Sequence, residues 1–170
     1  GTSTRALADD AFATGFQANA SNVSAFASGT NTTSSGENSS AFRTSAAASN
    51  LNAYAIGVDT FASGVNSLAL GTSAQATNLD SYAFGVQSFA NAANSSAIGT
   101  LAKATGSNSF AVGLQANASN TNSLAFGVAS SSSGIASTSI GTSATASNDK
   151  SVAIGFNALS EGSSSLAAGS

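Results

Sequence analysis

Seven carboxylates are the side chains of this sequence best suited to acid–base chemistry: Asp9, Asp10, Glu37, Asp59, Asp80, Asp149 and Glu161. Catalysis by a pair of carboxyl groups requires the two groups to be held close together. Among the seven, only the adjacent Asp9 and Asp10 are near each other in the chain. Both fall at predicted turn positions, where Asp is common. We therefore expect a structural role for the carboxylates and no catalytic residue among them.

The residue types that are missing exclude most other site chemistry. The chain has 170 residues and contains no Cys, His, Met, Trp or Pro. The usual ligands of zinc and transition metals are therefore absent. The Cys and His residues that form many nucleophile–base pairs are absent as well. We expect no enzyme activity, no metal site and no cofactor.

The charge pattern also limits the possible partners. Only 6% of residues are charged, the net charge is −3, and the four cations are scattered at Arg5, Arg43, Lys103 and Lys150. Nucleic acid is not an expected partner, because phosphate binding needs many Lys or Arg side chains. No apolar run approaches the roughly 20 residues of a membrane-spanning helix. We expect no direct membrane contact within these residues.

A repeat of fourteen residues organises the whole chain. Segments such as Ser67–Gly71, Ser109–Gly113 and Ser151–Gly155 end on anchor positions that recur from Gly1 to Gly169, and Arg43 is the only anchor that is not Gly. The unbroken register argues against disorder, which the Ser- and Ala-rich composition would otherwise suggest. We interpret residues 1–170 as one repeat domain.

A second turn position lies seven residues after each anchor. It holds the five remaining glycines, and in most other coils it holds Asn. Since Gly and Asn tolerate positive φ, we predict a tight turn with positive φ at this position. The predicted turn glycines are Gly36, Gly64, Gly106, Gly134 and Gly162.

Alternation of small and large residues predicts two strands per coil. In Leu68-Ala69-Leu70, as in the equivalent segment of other coils, Ala lies between two bulky residues, and a second short strand follows each anchor. Alternate residues of a strand face opposite sides. We predict an all-β, parallel β-roll (β-solenoid) whose thin interior holds Ala and Ser. Twelve coils stacked about 4.8 Å apart would make a rod roughly 55 Å long.

The bulky residues must then form a stripe on the outside of one wall. Such a patch exceeds what a soluble monomer normally exposes, and no other segment of the chain is left to cover it. We therefore predict self-association through this stripe. The predicted interface residues are Tyr54, Ile56, Leu68, Leu70, Tyr82, Phe84, Ile98, Phe110, Val112, Leu124, Phe126, Ile140, Val152 and Ile154.

The Ser-Val-Ala-Ile-Gly motif at Ser151–Gly155, its period and the Gly or Asn turn resemble the YadA-like head repeats of trimeric autotransporter adhesins. The resemblance covers the whole chain. It implies a left-handed parallel β-roll, a homotrimer and a location at the bacterial cell surface, held at the outer membrane by a stalk and anchor in the parent chain. It also implies a non-enzymatic adhesin head that binds host extracellular matrix proteins, cell surfaces or abiotic surfaces, although no ligand-binding residue can be named from it.

Two alternatives remain open from the sequence. The rod could be a structural spacer in a surface fibre, with the binding site elsewhere. An ice-binding solenoid is less favoured, because the outward positions of the second strand mix Asn, Thr, Ala, Phe, Gln and Lys. Arg43 is interpreted either as part of a local ion pair with Glu37 or Asp59 or as a ligand contact. Phe61, Phe89 and Leu159 are outward residues that either bind a ligand or pack between subunits.

Overall fold

The computed structural model describes residues 3–169, so the first anchor, Gly1, lies outside the described residues. Two parallel sheets of twelve strands form the opposite walls of a β-solenoid. Each strand pairs with the strand fourteen residues away, as in the register Leu68↔Tyr82. The predicted all-β architecture of twelve fourteen-residue coils is confirmed.

One wall is built of two-residue strands and is called the short-strand sheet. Its strands are β1 Arg5–Ala6, β3 Asn19–Ala20, β5 Thr33–Ser34, β7 Ala47–Ala48, β9 Phe61–Ala62, β11 Gln75–Ala76, β13 Phe89–Ala90, β15 Lys103–Ala104, β17 Asn117–Ala118, β19 Ser131–Ser132, β21 Thr145–Ala146 and β23 Leu159–Ser160.

The other wall is built of three-residue strands and is called the long-strand sheet. Its strands are β2 Phe12–Thr14, β4 Phe26–Ser28, β6 Ser40–Phe42, β8 Tyr54–Ile56, β10 Leu68–Leu70, β12 Tyr82–Phe84, β14 Ser96–Ile98, β16 Phe110–Val112, β18 Leu124–Phe126, β20 Thr138–Ile140, β22 Val152–Ile154 and β24 Leu166–Ala168.

The interior contains only small side chains, as the alternation predicts. Ala62 of the short-strand sheet and Ala69 of the long-strand sheet are fully buried, and the same is true of the equivalent alanines in most coils. The largest fully buried side chains are Thr and Ser. Because no large residue separates the walls, the two sheets lie close together and every bulky side chain is turned outward.

Most buried serines hydrogen-bond to a turn carbonyl, and a few also bond to one another, as Ser34 and Ser39 do at 2.6 Å. The Ser67 hydroxyl donates to the carbonyl of Gly64 at 2.7 Å, and Ser39 donates to Gly36 at the same distance. The main-chain N–H of Ser67 donates to the same carbonyl at 3.3 Å. The Ser109 hydroxyl has neither kind of bond, because its Oγ is buried without a hydrogen-bond partner. The serine column therefore helps to close one turn in most coils.

Each coil contains two turns, and the positive φ occurs at positions that differ from the prediction. The five predicted turn glycines do open turns, but none of them has a φ in the left-handed region. The left-handed residue is the third of the turn, such as Asn66 with φ 55° or Asp59 with φ 53°. The expectation of positive φ at Gly36, Gly64, Gly106, Gly134 and Gly162 was wrong.

Crowding between coils explains the glycine at four of these five positions, Gly162 being the exception. A Cβ on Gly64 would lie 1.9 Å from the carbonyl oxygen of Asn78 in the next coil. In five other coils the same position holds Asn. Asn50, for example, donates through Nδ2 to the carbonyl of Ser63 at 3.2 Å and accepts from the N–H of Leu51 at 2.9 Å. In this column Gly allows the backbones of two coils to approach closely, whereas Asn joins them through side-chain hydrogen bonds.

The anchor column is where positive φ and close approach coincide. Gly71 has a φ of 137°, and a Cβ there would lie 2.4 Å from the carbonyl oxygen of Gly85. Arg43, the exception, adopts a φ of 84° and has an exposed side chain. A side chain is therefore accommodated at this anchor by a different backbone conformation.

Candidate interaction surfaces

All fourteen predicted interface residues lie on the outer side of the long-strand sheet, which we call the apolar face. Their side chains run in two columns, because each strand turns its first and third residues outward. Eight are exposed, among them Leu70 at 42% and Phe126 at 51%. The other six are half-buried by their neighbours in the columns: Ile56, Leu68, Phe84, Val112, Leu124 and Val152.

Aromatic stacking extends the apolar face toward the first coils. The ring of Phe26 is stacked on the rings of Phe12 and Phe42, with both pairs of centroids 4.9 Å apart. Neither Phe12 nor Phe26 was among the predicted interface residues. Phe12 and Phe26 precede Ser40 and Tyr54 in the same column, at intervals of fourteen residues. This spacing was the signal that could have identified them.

Exposed apolar residues also occur at both turns, and the sequence reasoning missed them as well. One column directly follows the anchors and includes the exposed Phe16, Val86, Leu114, Val128 and Phe156. The other is the second residue of the opposite turn and includes the exposed Val23, Leu51, Leu79 and Ile135. The two columns border the long-strand sheet on its two sides.

An asparagine ladder follows the left-handed residues of one turn. Nδ2 of Asn52 donates to Oδ1 of Asn66 at 3.0 Å, and Nδ2 of Asn66 donates to Oδ1 of Asp80 at 2.9 Å. A second run joins Asn94, Asn108 and Asn122 in the same way. The Asp80 carboxylate has no N–H group to donate to Asn94, so the ladder divides into two runs.

The outer side of the short-strand sheet is more varied. Phe61, Gln75, Phe89, Lys103 and Asn117 follow one another in register on β9 to β17. Phe61 is 43% exposed, Leu159 further along is 54% exposed, and Phe89 is half-buried. A depression of about 300 Å³ adjoins the Lys103 end of this series, lined by Leu101, Lys103, Gln115 and Asn117.

Among the described residues the acidic side chains form no candidate metal centre. Asp9 and Asp10 are both exposed in one turn, and Asp10 has the left-handed φ of 56°. Across residues 3–169 no group of three or more Asp, Glu, His or Cys side chains could hold a metal ion. In the same range no helix has the length and hydrophobicity to cross a bilayer.

Comparison with known proteins assigns the repeat. Residues 20–42, 48–74, 76–102, 104–130 and 132–158 match the YadA head domain repeat in its two-copy form. The chain belongs to the YadA head-repeat family. Each full match spans about two coils, and together the matches cover more than half of the chain. The resemblance inferred from the Ser-Val-Ala-Ile-Gly motif is confirmed.

A solved YadA head has a similar fold. The crystal structure of the collagen-binding domain of the Yersinia adhesin YadA matches with a TM-score of 0.56 and 24% sequence identity, over 84% of this chain and 69% of that chain. No curated protein matches the chain by sequence. Membership of the YadA head-repeat family supports an adhesin-type role outside the cell.

Proposed function

We propose that this chain is the non-enzymatic head of a bacterial surface adhesin, that its coils are left-handed and that it works as a homotrimer. In this proposal the head is carried at the outer membrane by other parts of its parent protein and attaches the cell to extracellular matrix, to other cells or to abiotic surfaces. The observation that carries the proposal is the apolar face of a chain that belongs to the YadA head-repeat family.

The apolar face supports self-association on energetic grounds. Its side chains are already about half covered by their neighbours, so burying the remainder of each contributes about 1 kcal/mol. Over fourteen residues the total is on the order of 10–15 kcal/mol on the same basis. That is comparable with the whole folding stability of an ordinary domain. In a single chain these apolar columns stay exposed to water. A parallel copy in the same register can cover them with matching columns of its own.

Assembly leaves the short-strand sheet facing outward on every subunit. A rod with several identical outer walls presents the same weak contact many times, so attachment gains from multivalency rather than from one deep pocket. This fits an outer wall whose depression beside Lys103 is open and lined mainly by polar side chains.

The assembly is tested by placing charge on the apolar face. Ile98→Asp with Val112→Asp puts two carboxylates at adjacent outward positions of β14 and β16. We expect sedimentation at low micromolar concentration to show a trimer for the unmodified chain and loss of assembly, together with loss of folding, for this variant. The matched control is Asn117→Asp with Ser131→Asp, on adjacent outward positions of the short-strand sheet. A stable soluble monomer of the unmodified chain would refute self-association.

The adhesive role is tested by binding and by deletion. The isolated trimer should bind to surfaces coated with collagen, fibronectin or laminin, or to cells. Cells whose fibre lacks residues 1–170 but keeps its remaining parts should lose that attachment. Unchanged attachment after the deletion would support a spacer role instead.

A further inference from the structure

One row on the short-strand sheet has the form of a sugar-binding platform. The aromatic row consists of Phe61, Gln75, Phe89, Lys103 and Asn117, all at the first position of their strands. The second residue of each of these strands is a fully buried alanine. The five side chains of the row are therefore on the outer wall, side by side.

The spacing of the two phenylalanines is set by the coil. Phe61 and Phe89 each pair with Gln75 in register, so they are two strands apart, or about 9.6 Å. An extended β-linked polysaccharide repeats every disaccharide at close to this distance. One ring can thus pack against every second sugar, while Gln75 between them offers an amide to the hydroxyl groups of the intervening sugar.

The charge of the row favours an acidic polysaccharide. The twelve outward positions of the short-strand sheet from Arg5 to Leu159 carry two of the four cations and none of the seven carboxylates. Lys103 follows Phe89 directly in the row and lines the adjoining depression together with Asn117. Asp59 lies in the turn before Phe61, at the opposite end of the row from Lys103. An anionic group is therefore favoured at the Lys103 end.

We propose that the aromatic row binds a linear β-linked polysaccharide that carries one carboxylate per disaccharide. Phe61 and Phe89 stack on alternate sugars, Gln75 and Asn117 hydrogen-bond to hydroxyl groups, and Lys103 pairs with a carboxylate beside the depression. The row spans about 19 Å from Phe61 to Asn117, and each subunit of the proposed assembly presents one copy. The inference rests on the proposed adhesive function and names a ligand class for its outer wall.

The probe is an octasaccharide of alternating β-linked glucuronic acid and N-acetylglucosamine, titrated calorimetrically into the assembled chain. Phe61→Thr and Phe89→Thr are suitable variants, because Thr33 and Thr145 occupy the same outward position in other coils. We expect each to weaken binding about tenfold, as loss of one aromatic contact does. Lys103→Gln should weaken binding and reduce its dependence on salt. Leu159→Thr, in the same column but distant from the row, is the matched control and should bind normally.

Three results would overturn the inference. These are no binding of the octasaccharide, equal binding of an uncharged β-linked oligosaccharide of N-acetylglucosamine, and binding that survives both Phe variants. A trimer that ignores the octasaccharide but still attaches to collagen-coated surfaces refutes only this inference. A trimer that attaches to no protein, cell or abiotic surface refutes the proposed function itself.

Discussion

The five glycines that open a turn seven residues after an anchor can be tested with a matched pair of variants. In Gly64→Ala the new Cβ would lie 1.9 Å from the carbonyl oxygen of Asn78 and 2.3 Å from its carbonyl carbon. An unstrained contact needs roughly 3.5 Å. The two coils must therefore separate by more than 1 Å at this turn. Gly162→Ala changes the same repeat position, but the nearest atom to its Cβ is the Ser165 Cβ at 3.3 Å.

The cost of Gly64→Ala follows from the contacts that this separation breaks. Two hydrogen bonds flank the turn, from Ser63 N–H to the Ala76 carbonyl and from Asp80 N–H to the Val65 carbonyl, both 2.9 Å long. Stretching them beyond 3.5 Å loses about 1 kcal/mol each, and the residual overpacking adds about 1–3 kcal/mol. We expect a destabilisation of about 3–5 kcal/mol, or a fall in Tm of about 10 °C.

Thermal unfolding followed by circular dichroism, at one fixed protein concentration, measures this difference. Gly162→Ala should leave Tm within about 2 °C of the unmodified chain, because replacing Gly costs little where no strain results. Neither glycine has a left-handed φ, so backbone conformation does not separate the two variants. If both variants lower Tm equally, or if Gly64→Ala leaves it unchanged, contact between coils is not the reason for glycine here.

Other predictions address single contacts by the same thermal assay. Ser67→Ala should cost about 1 kcal/mol because it removes a buried hydrogen bond, whereas Ser109→Ala should be neutral or slightly stabilising because its hydroxyl is buried without a partner; equal losses would contradict this. Arg43→Gly should stabilise by about 1 kcal/mol by relieving a φ of 84°, and Arg43→Gln should do nothing; an equal gain from both would point to charge instead. Asp80→Asn supplies an amide that can donate to Asn94 and so join the two runs of the ladder, which should add about 0.5–1 kcal/mol; a lower Tm would refute that join.

Side-chain parity was predictable from the sequence because it depends only on local geometry. Ala69 lies between Leu68 and Leu70, and alternate residues of any strand face opposite sides. The structure accordingly buries Ala69 completely and leaves Leu70 42% exposed. The same reasoning placed the fourteen interface candidates on one wall. It missed Leu51 and Val86, because a turn has no two-residue alternation to follow.

The two kinds of glycine could not be distinguished in the sequence. Gly64 and Gly71 both recur in a fourteen-residue pattern, and positive φ is the usual reason for such a glycine. Only Gly71 has it, at 137°. The left-handed conformation in the turn opened by Gly64 belongs to Asn66 instead. A close approach between coils has no local signature, because it depends on a backbone fourteen residues away.

By itself, the sequence determined the length of the coil, the number of coils, the small interior and the apolar wall. Each follows from a period or an alternation that can be counted along the chain. The tertiary structure alone decided how one coil fits upon the next: which glycine must lack a side chain and which asparagines form a ladder. These features depend on distances between residues one or two coils apart, which exist only once the coils are stacked in register.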